Sequence, residues 1–148
     1  MTDDTVKLAL KYFSSNYNCS QSVMKSILEK EGMDFDEIFH LTAGFGGGFG
    51  LEGHVCGAVS GAVAAIGVLN GRKYSDDVKH RKATYPIVKK FLQRFIERNE
   101  TIICNNLTGI DISDQAALER AIKDGTFEKI CPRYVKDAVR IVLELDKE

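Results

Sequence analysis

The sequence has no apolar run long enough to cross a bilayer. Its longest weakly polar stretch, 55–69, is rich in Gly and Ala and falls short of the roughly 20 apolar residues that a spanning helix needs. No Cys-x-x-Cys pair occurs, because the four cysteines stand at 19, 56, 104 and 131, and this excludes thioredoxin-type and zinc-ribbon motifs. Neither sign of charge dominates, with 20 basic against 21 acidic residues, and no stretch collects Lys and Arg beyond what a solvated helix face carries. Nucleic-acid binding and membrane insertion are therefore not expected. Repeats, low-complexity tails and linkers are also lacking, so the 148 residues are expected to form one domain, 1–148. The acidic opening Met1-Thr2-Asp3-Asp4 is followed by no apolar segment of a secretory signal, and the expected location is the cytoplasm.

Helical periodicity fills most of the chain. Val6, Ala9, Leu10, Phe13 and Tyr17 predict a helix over 3–17, and Val23, Met24, Ile27 and Leu28 one that starts near Cys19 and stops at Gly32. A short third helix is expected from an Asp34 cap through Phe35, Ile38, Phe39 and Leu41. Six glycines between Gly44 and Gly53 then predict a loop. From Val55 to the Asn70-Gly71 stop, small and branched residues predict a buried helix whose flank of Gly57, Gly61, Ala64 and Ala65 carries almost no side chain. Glycine costs up to about 1 kcal/mol in a helix interior, so two of them imply that something approaches the backbone closely. A long helix is expected from a Ser75 cap, kinked or split at Pro86, in which Val78, Tyr85, Val88, Phe91, Leu92, Phe95 and Ile96 keep a period near 3.6, with residues 88, 91, 92 and 95 in the core. The stretch 101–104 suits strand or helix equally. A helix capped by Ser113 or Asp114 and ended by Gly125 follows, and Pro132 is expected to open the last one. The fold class is all-α, with about six to seven helices.

Cysteine carries the chemistry. Four thiols in a reducing compartment argue against a disulfide framework and for thiols, metal ligands or a switchable pair. Cys19, Cys56 and Cys131 each fall in a predicted first helical turn, where free N–H groups and the helix dipole lower thiol pKa values. A free cysteine is also among the most often buried residue types, and any one of these alone reads as a small hydrophobe. His54, two residues before Cys56, is a candidate ligand or base. Gly48-Phe49-Gly50-Leu51-Glu52-Gly53 matches G-x-G-x-x-G, but a short helix precedes it where a dinucleotide site requires a strand. Two readings survive: Gly48, Gly50, Gly53, His54 and Gly57 let an anion or cofactor approach the backbone, or the glycines simply allow a tight path past neighbouring helices.

Val55-Cys56-Gly57-Ala58-Val59-Ser60-Gly61-Ala62 strongly resembles the CGAxxG motif of a prokaryotic family of redox-active proteins, the C_GCAxxG_C_C family. Asn18-Cys19-Ser20 resembles that family's upstream cysteine context, and Cys104 and Cys131 fill its two downstream places, so the resemblance spans essentially the whole chain. It implies a helical domain with a shared four-cysteine set, similar to a domain of split-Soret cytochromes. The haem part does not carry over, because Cys-x-x-Cys-His is absent. The leading expectation is that Cys19, Cys56, Cys104 and Cys131 act as redox-active thiols or metal ligands. They would hold an iron–sulfur cluster or cycle between dithiol and disulfide, with an unidentified redox partner. The alternatives are a binding module with structural zinc, or a helical oligomerisation protein, such as a homodimer, whose Gly57/Gly61 flank packs against another helix while the thiols are merely buried.

Overall fold

The computed structural model describes residues 2–148, and among them no strand is formed. Six helices of nine residues or more build the domain: α1 (Thr2–Ser14), α2 (Cys19–Lys30), α5 (Gly57–Gly71), α6 (Asp77–Asn99), α8 (Gln115–Lys123) and α9 (Thr126–Asp146). Three one-turn pieces fill the gaps, α3 (Ile38–Thr42), α4 (Gly46–Phe49) and α7 (Cys104–Thr108). The all-α expectation holds. No helix among the described residues is long and apolar enough to cross a membrane.

Helix α5 is the hub. It has almost no polar face, as a helix surrounded by other helices must, and it packs against α2, α6 and α9. The principal core joins Ile27 and Leu28 of α2, Ala58, Ala62 and Ile66 of α5, Phe91 and Phe95 of α6, and Val135, Ala138, Val139 and Val142 of α9. Spacings of three and four along α9 place its four on one stripe, which explains why so polar a sequence forms a long helix. Helix α2 begins with a capping box: Asn18 Oδ1 accepts from Gln21 N at 2.9 Å, and Gln21 Oε1 accepts from Asn18 N at 3.0 Å.

Several boundaries differ from the sequence expectation. Helix α9 starts at Thr126, six residues before the expected start, so Pro132 lies inside it; Gly125, at φ 67°, turns the chain into the helix. Helix α6 runs unbroken through Pro86 from an Asp76 cap, whose carboxylate accepts from Val78 N and Lys79 N. Val55 is not helical but pairs with Ile103 in an isolated antiparallel bridge, and α5 begins only after Cys56. The glycine segment is not simply a loop: a 3₁₀ turn, Ala43–Phe45, leads into α4, where Gly47 and Gly48 have left-handed φ values. Of the long apolar period on α6, Phe91 and Phe95 are fully buried, while Val78, Tyr85 and Ile96 face solvent.

A cavity lined by four cysteines

Each cysteine is placed by a different element. Cys19 is the first residue of α2, Cys56 is the residue before α5, Cys104 opens α7, and Cys131 lies one and a half turns into α9. All four line a single half-open cavity of about 170 Å³, whose remaining wall is nearly all apolar: Phe13, Leu51, Leu107, Ile112 and Phe127 with the ring of Tyr134.

The CGAxxG residues have a steric role in this assembly. A methyl group on Gly57 would lie 3.2 Å from Ser20 N and 3.4 Å from Cys19 Cβ, and one on Gly61 would lie 2.5 Å from Ser20 O. The glycines thus let the first turn of α2 lie directly against α5 and bring Cys19 beside Cys56. The small-residue flank is filled within the chain by α2.

Cys56 and Cys104 are joined by backbone. Cys56 N donates to Ile102 O at 2.8 Å and Cys104 N donates to His54 O at 2.6 Å, one on each side of the Val55–Ile103 bridge. The segment that crosses α7 is held by His54 N to Gly48 O (2.9 Å), Gly53 N to Gly47 O (3.1 Å) and Asn105 N to Gly53 O (3.2 Å). Gly48 is required there, since it sits at φ 68° and a methyl would lie 2.5 Å from His54 N and 2.8 Å from Cys104 Cβ. The G-x-G-x-x-G match therefore reflects packing of this segment on α7. Gly57 lines the cavity; Gly48, Gly50 and Gly53 do not, and His54 directs its backbone to the site while its side chain is exposed.

Helix termini do not govern the thiols. Burial pushes Cys56 from the ordinary value of 9.0 up to about 11, overriding the hydrogen bonds from Ala58 N and Val59 N that favour its thiolate. Burial, reinforced by the nearby Cys56 and Cys131 sulfurs, pushes Cys104 up to about 12. Cys19 lies well above its ordinary value, because its proton is engaged by Cys131 and because it is buried near the other three sulfurs. Cys131 alone is held low, by the hydrogen bond that Cys19 donates to it. The expectation that three first-turn thiols are acidified is corrected in this way: Cys131 is not in a first turn, and at Cys19 and Cys56 desolvation outweighs the helix end.

Sequence reasoning missed Leu107, Thr108, Ile112 and Tyr134 as cavity residues, and missed the Tyr134 hydroxyl, which donates to Leu107 O at 2.8 Å and closes one wall. Tyr134 was findable, lying three residues after Cys131 on the same helical face.

The profile of one family, described as "Putative redox-active protein (C_GCAxxG_C_C)", matches residues 17–145, which include every cysteine. The chain belongs to this family. Redox activity is the property that defines the family's description. A protein of Archaeoglobus fulgidus, described as uncharacterized, is 24% identical over 147 residues, covering 95% of this chain and 91% of its own length. No solved structure matches the chain.

The donor set bears on which group the cavity suits. Among the described residues no three His, Cys, Asp or Glu side chains converge closely enough to hold a single metal ion. A tetrahedral zinc site with bonds of about 2.3 Å needs its sulfurs only about 3.8 Å apart. All four cysteines line one apolar cavity, with Cys19 and Cys131 in hydrogen-bond contact, and an all-cysteine donor set of this kind is the one that iron–sulfur clusters use.

Proposed function

We propose that Cys19, Cys56, Cys104 and Cys131 form one redox centre that ligates an iron–sulfur cluster within the apolar cavity. The observation that carries this reading is that all four cysteines of the chain, drawn from four elements, line one cavity and nothing charged lines it with them. A bound cluster would supply reversible one-electron chemistry. The thiols would provide its ligands and give up their protons on ligation, which their raised pKa values oppose in the metal-free state. Leu51, Leu107, Phe127 and the Tyr134 ring would keep water away and hold the local dielectric low, which tunes a cluster's potential.

The contact between Cys19 and Cys131 favours a second reading, a dithiol–disulfide couple. Cys131 is the more readily ionised of the two, and Cys19, which donates a hydrogen bond to it, is poised to pair with it. Exchange with an external disulfide would join the two sulfurs and reduce that disulfide to two thiols, which take up the protons and electrons released.

Protein purified without oxygen, or reconstituted with iron and sulfide, is expected to contain both elements in similar amounts. Each single Cys→Ser variant is expected to lose them. If no iron is taken up and thiol titration finds two fewer thiols after oxidation, a loss absent from Cys19→Ser and Cys131→Ser, the couple is the function. If neither iron uptake nor a change in thiol count is observed, the shared redox-centre reading is overturned.

A further inference from the structure

The charge of this nearly neutral chain is divided unevenly in space. Residues 72–98 carry nine basic against three acidic side chains, while the rest of the chain carries eleven basic against eighteen acidic. Three of the nine cations are paired with the end of α9: Arg72 with Asp146, Arg94 with Glu144 and Glu148, and Arg98 with Glu144. The other six, Lys73, Lys79, Arg81, Lys82, Lys89 and Lys90, are exposed and form no ion pair with the described residues. On the same outward side of α6 stand Val78, Tyr85 and Ile96, 48%, 57% and 42% exposed. Their separations of 7 and 11 residues place them on one stripe of a 3.6-residue helix. The core-facing side of α6 is already occupied by Phe91 and Phe95, so this stripe serves no intramolecular packing.

The last turn of α6 reaches the redox cavity's wall. Arg98 and Arg133 line a polar recess of about 310 Å³, in which Glu100 is the one acid, and Arg133 Nη2 donates to Arg98 O at 3.0 Å. Leu107 and Tyr134 line this recess and also line the four-cysteine cavity. A single layer of side chains thus separates this recess from the four-cysteine cavity.

We infer that the outward face of α6, with the Arg98–Arg133 recess at its end, is the docking surface for a small acidic electron-carrier protein. The inference rests on the redox-centre reading for its purpose, though not for its geometry. Charge complementarity selects the partner's sign, and the exposed stripe supplies the apolar patch that the centre of such an interface needs. A second copy of the chain in a symmetric pair would set cations against cations. A flat lipid surface cannot enter a recess, and a phosphate backbone makes no use of Val78, Tyr85 and Ile96. Electrons exchanged across the Leu107–Tyr134 wall leave one protein oxidised and the other reduced, with no bond made at the interface.

The test is binding, measured by calorimetry with the full chain and two acidic probes, a plant-type ferredoxin and a flavodoxin. The Lys82→Glu/Lys89→Glu double variant is expected to weaken binding of at least one probe about tenfold. Raising salt from roughly 50 to roughly 300 mM is expected to do the same. Lys7→Glu/Lys11→Glu on α1 is expected to change neither. Cys56→Ser, which removes the centre, is expected to bind like the parent, so a failed redox reading leaves the docking result intact. Equal binding by the α6 and α1 variants overturns the inference, as does binding of neither probe. So does an α6-dependent preference for phosphatidylglycerol vesicles or single-stranded RNA over both probes, or loss of self-association alone in the α6 variant.

Discussion

Replacing Gly61 by alanine tests the helix contact that seats Cys19. The added methyl would lie 2.5 Å from Ser20 O and 3.0 Å from both its Cα and Oγ, whereas ordinary contact begins near 3.4 Å. The obstacle is backbone inside a helical first turn, so no side-chain rotation relieves it; α2 must withdraw by about 0.9 Å at that point. Overpacking of this kind costs about 1–3 kcal/mol, and alanine's better helix propensity returns up to about 1 kcal/mol. Because the clash is with main chain, the upper part of that range applies, leaving a net loss of about 2 kcal/mol. With a urea slope of about 1–3 kcal/mol/M, the unfolding midpoint falls by about 1 M. Gly67, on the same helix, is the control. A methyl there meets nothing within 4 Å, so Gly67→Ala is expected to gain about 0.5–1 kcal/mol. Equilibrium urea unfolding of the metal-free protein measures both. A Gly61→Ala protein as stable as the parent refutes the close-packing argument, whatever Gly67→Ala does.

Other consequences follow from the same geometry. Cys56 and Cys104, pushed from 9.0 to about 11 and about 12, keep in the fold protons that the unfolded chain releases. The metal-free protein should hold its full thiol contribution below pH 9 and lose it as pH rises toward 11–12. Urea midpoints at about pH 8 and about pH 10.5 read the decline, and a flat profile contradicts the assignment. Alkylation near neutral pH should modify Cys131 before Cys56 or Cys104, as peptide mapping of a time course would show. Gly48→Ala should cost about 3 kcal/mol or more, since left-handed backbone and a main-chain clash combine. Gly50→Asn should cost under about 1 kcal/mol, because Gly50 at φ 60° has nothing within 4 Å and asparagine tolerates that region; thermal melts distinguish the two. Tyr134→Phe strands the buried Leu107 carbonyl and should cost about 1–3 kcal/mol in urea unfolding while leaving iron content unchanged.

The long amphipathic helices were readable because their burial is one-sided: the apolar spacings of α2 and α9 translate directly into core positions. The start of α9 was hidden because Pro132 resembles a first-turn residue, while the turn into the helix is made by Gly125. In α6, Val78, Tyr85 and Ile96 share the apolar character of the core residues, and only their positions around the axis distinguish them. The four cysteines could be named from the sequence but not assembled, because their meeting depends on contacts between distant segments. These are the α2–α5 approach at Gly61 and the pairing of 54–56 with 102–104. Thiol acidity was misjudged for a related reason: a helix end is visible in local sequence, whereas desolvation is a property of the finished cavity.

The spread of the cysteines along the chain has a mechanical meaning. Successive members lie 37, 48 and 27 positions apart. A group bound to all four at once would tie the chain into three loops, in the manner of interlocked cross-links. In the chain-entropy picture, each loop of that size restricts the unfolded ensemble by about 3–4 kcal/mol, before any gain from the bonds themselves. Occupancy of the centre would thereby add to the stability that the principal core already supplies. A chain that loses its bound group would open most readily around the cavity, where short backbone pairings and the first turn of α2 bring the thiols together, so turnover of the protein would report the supply of whatever the cavity holds.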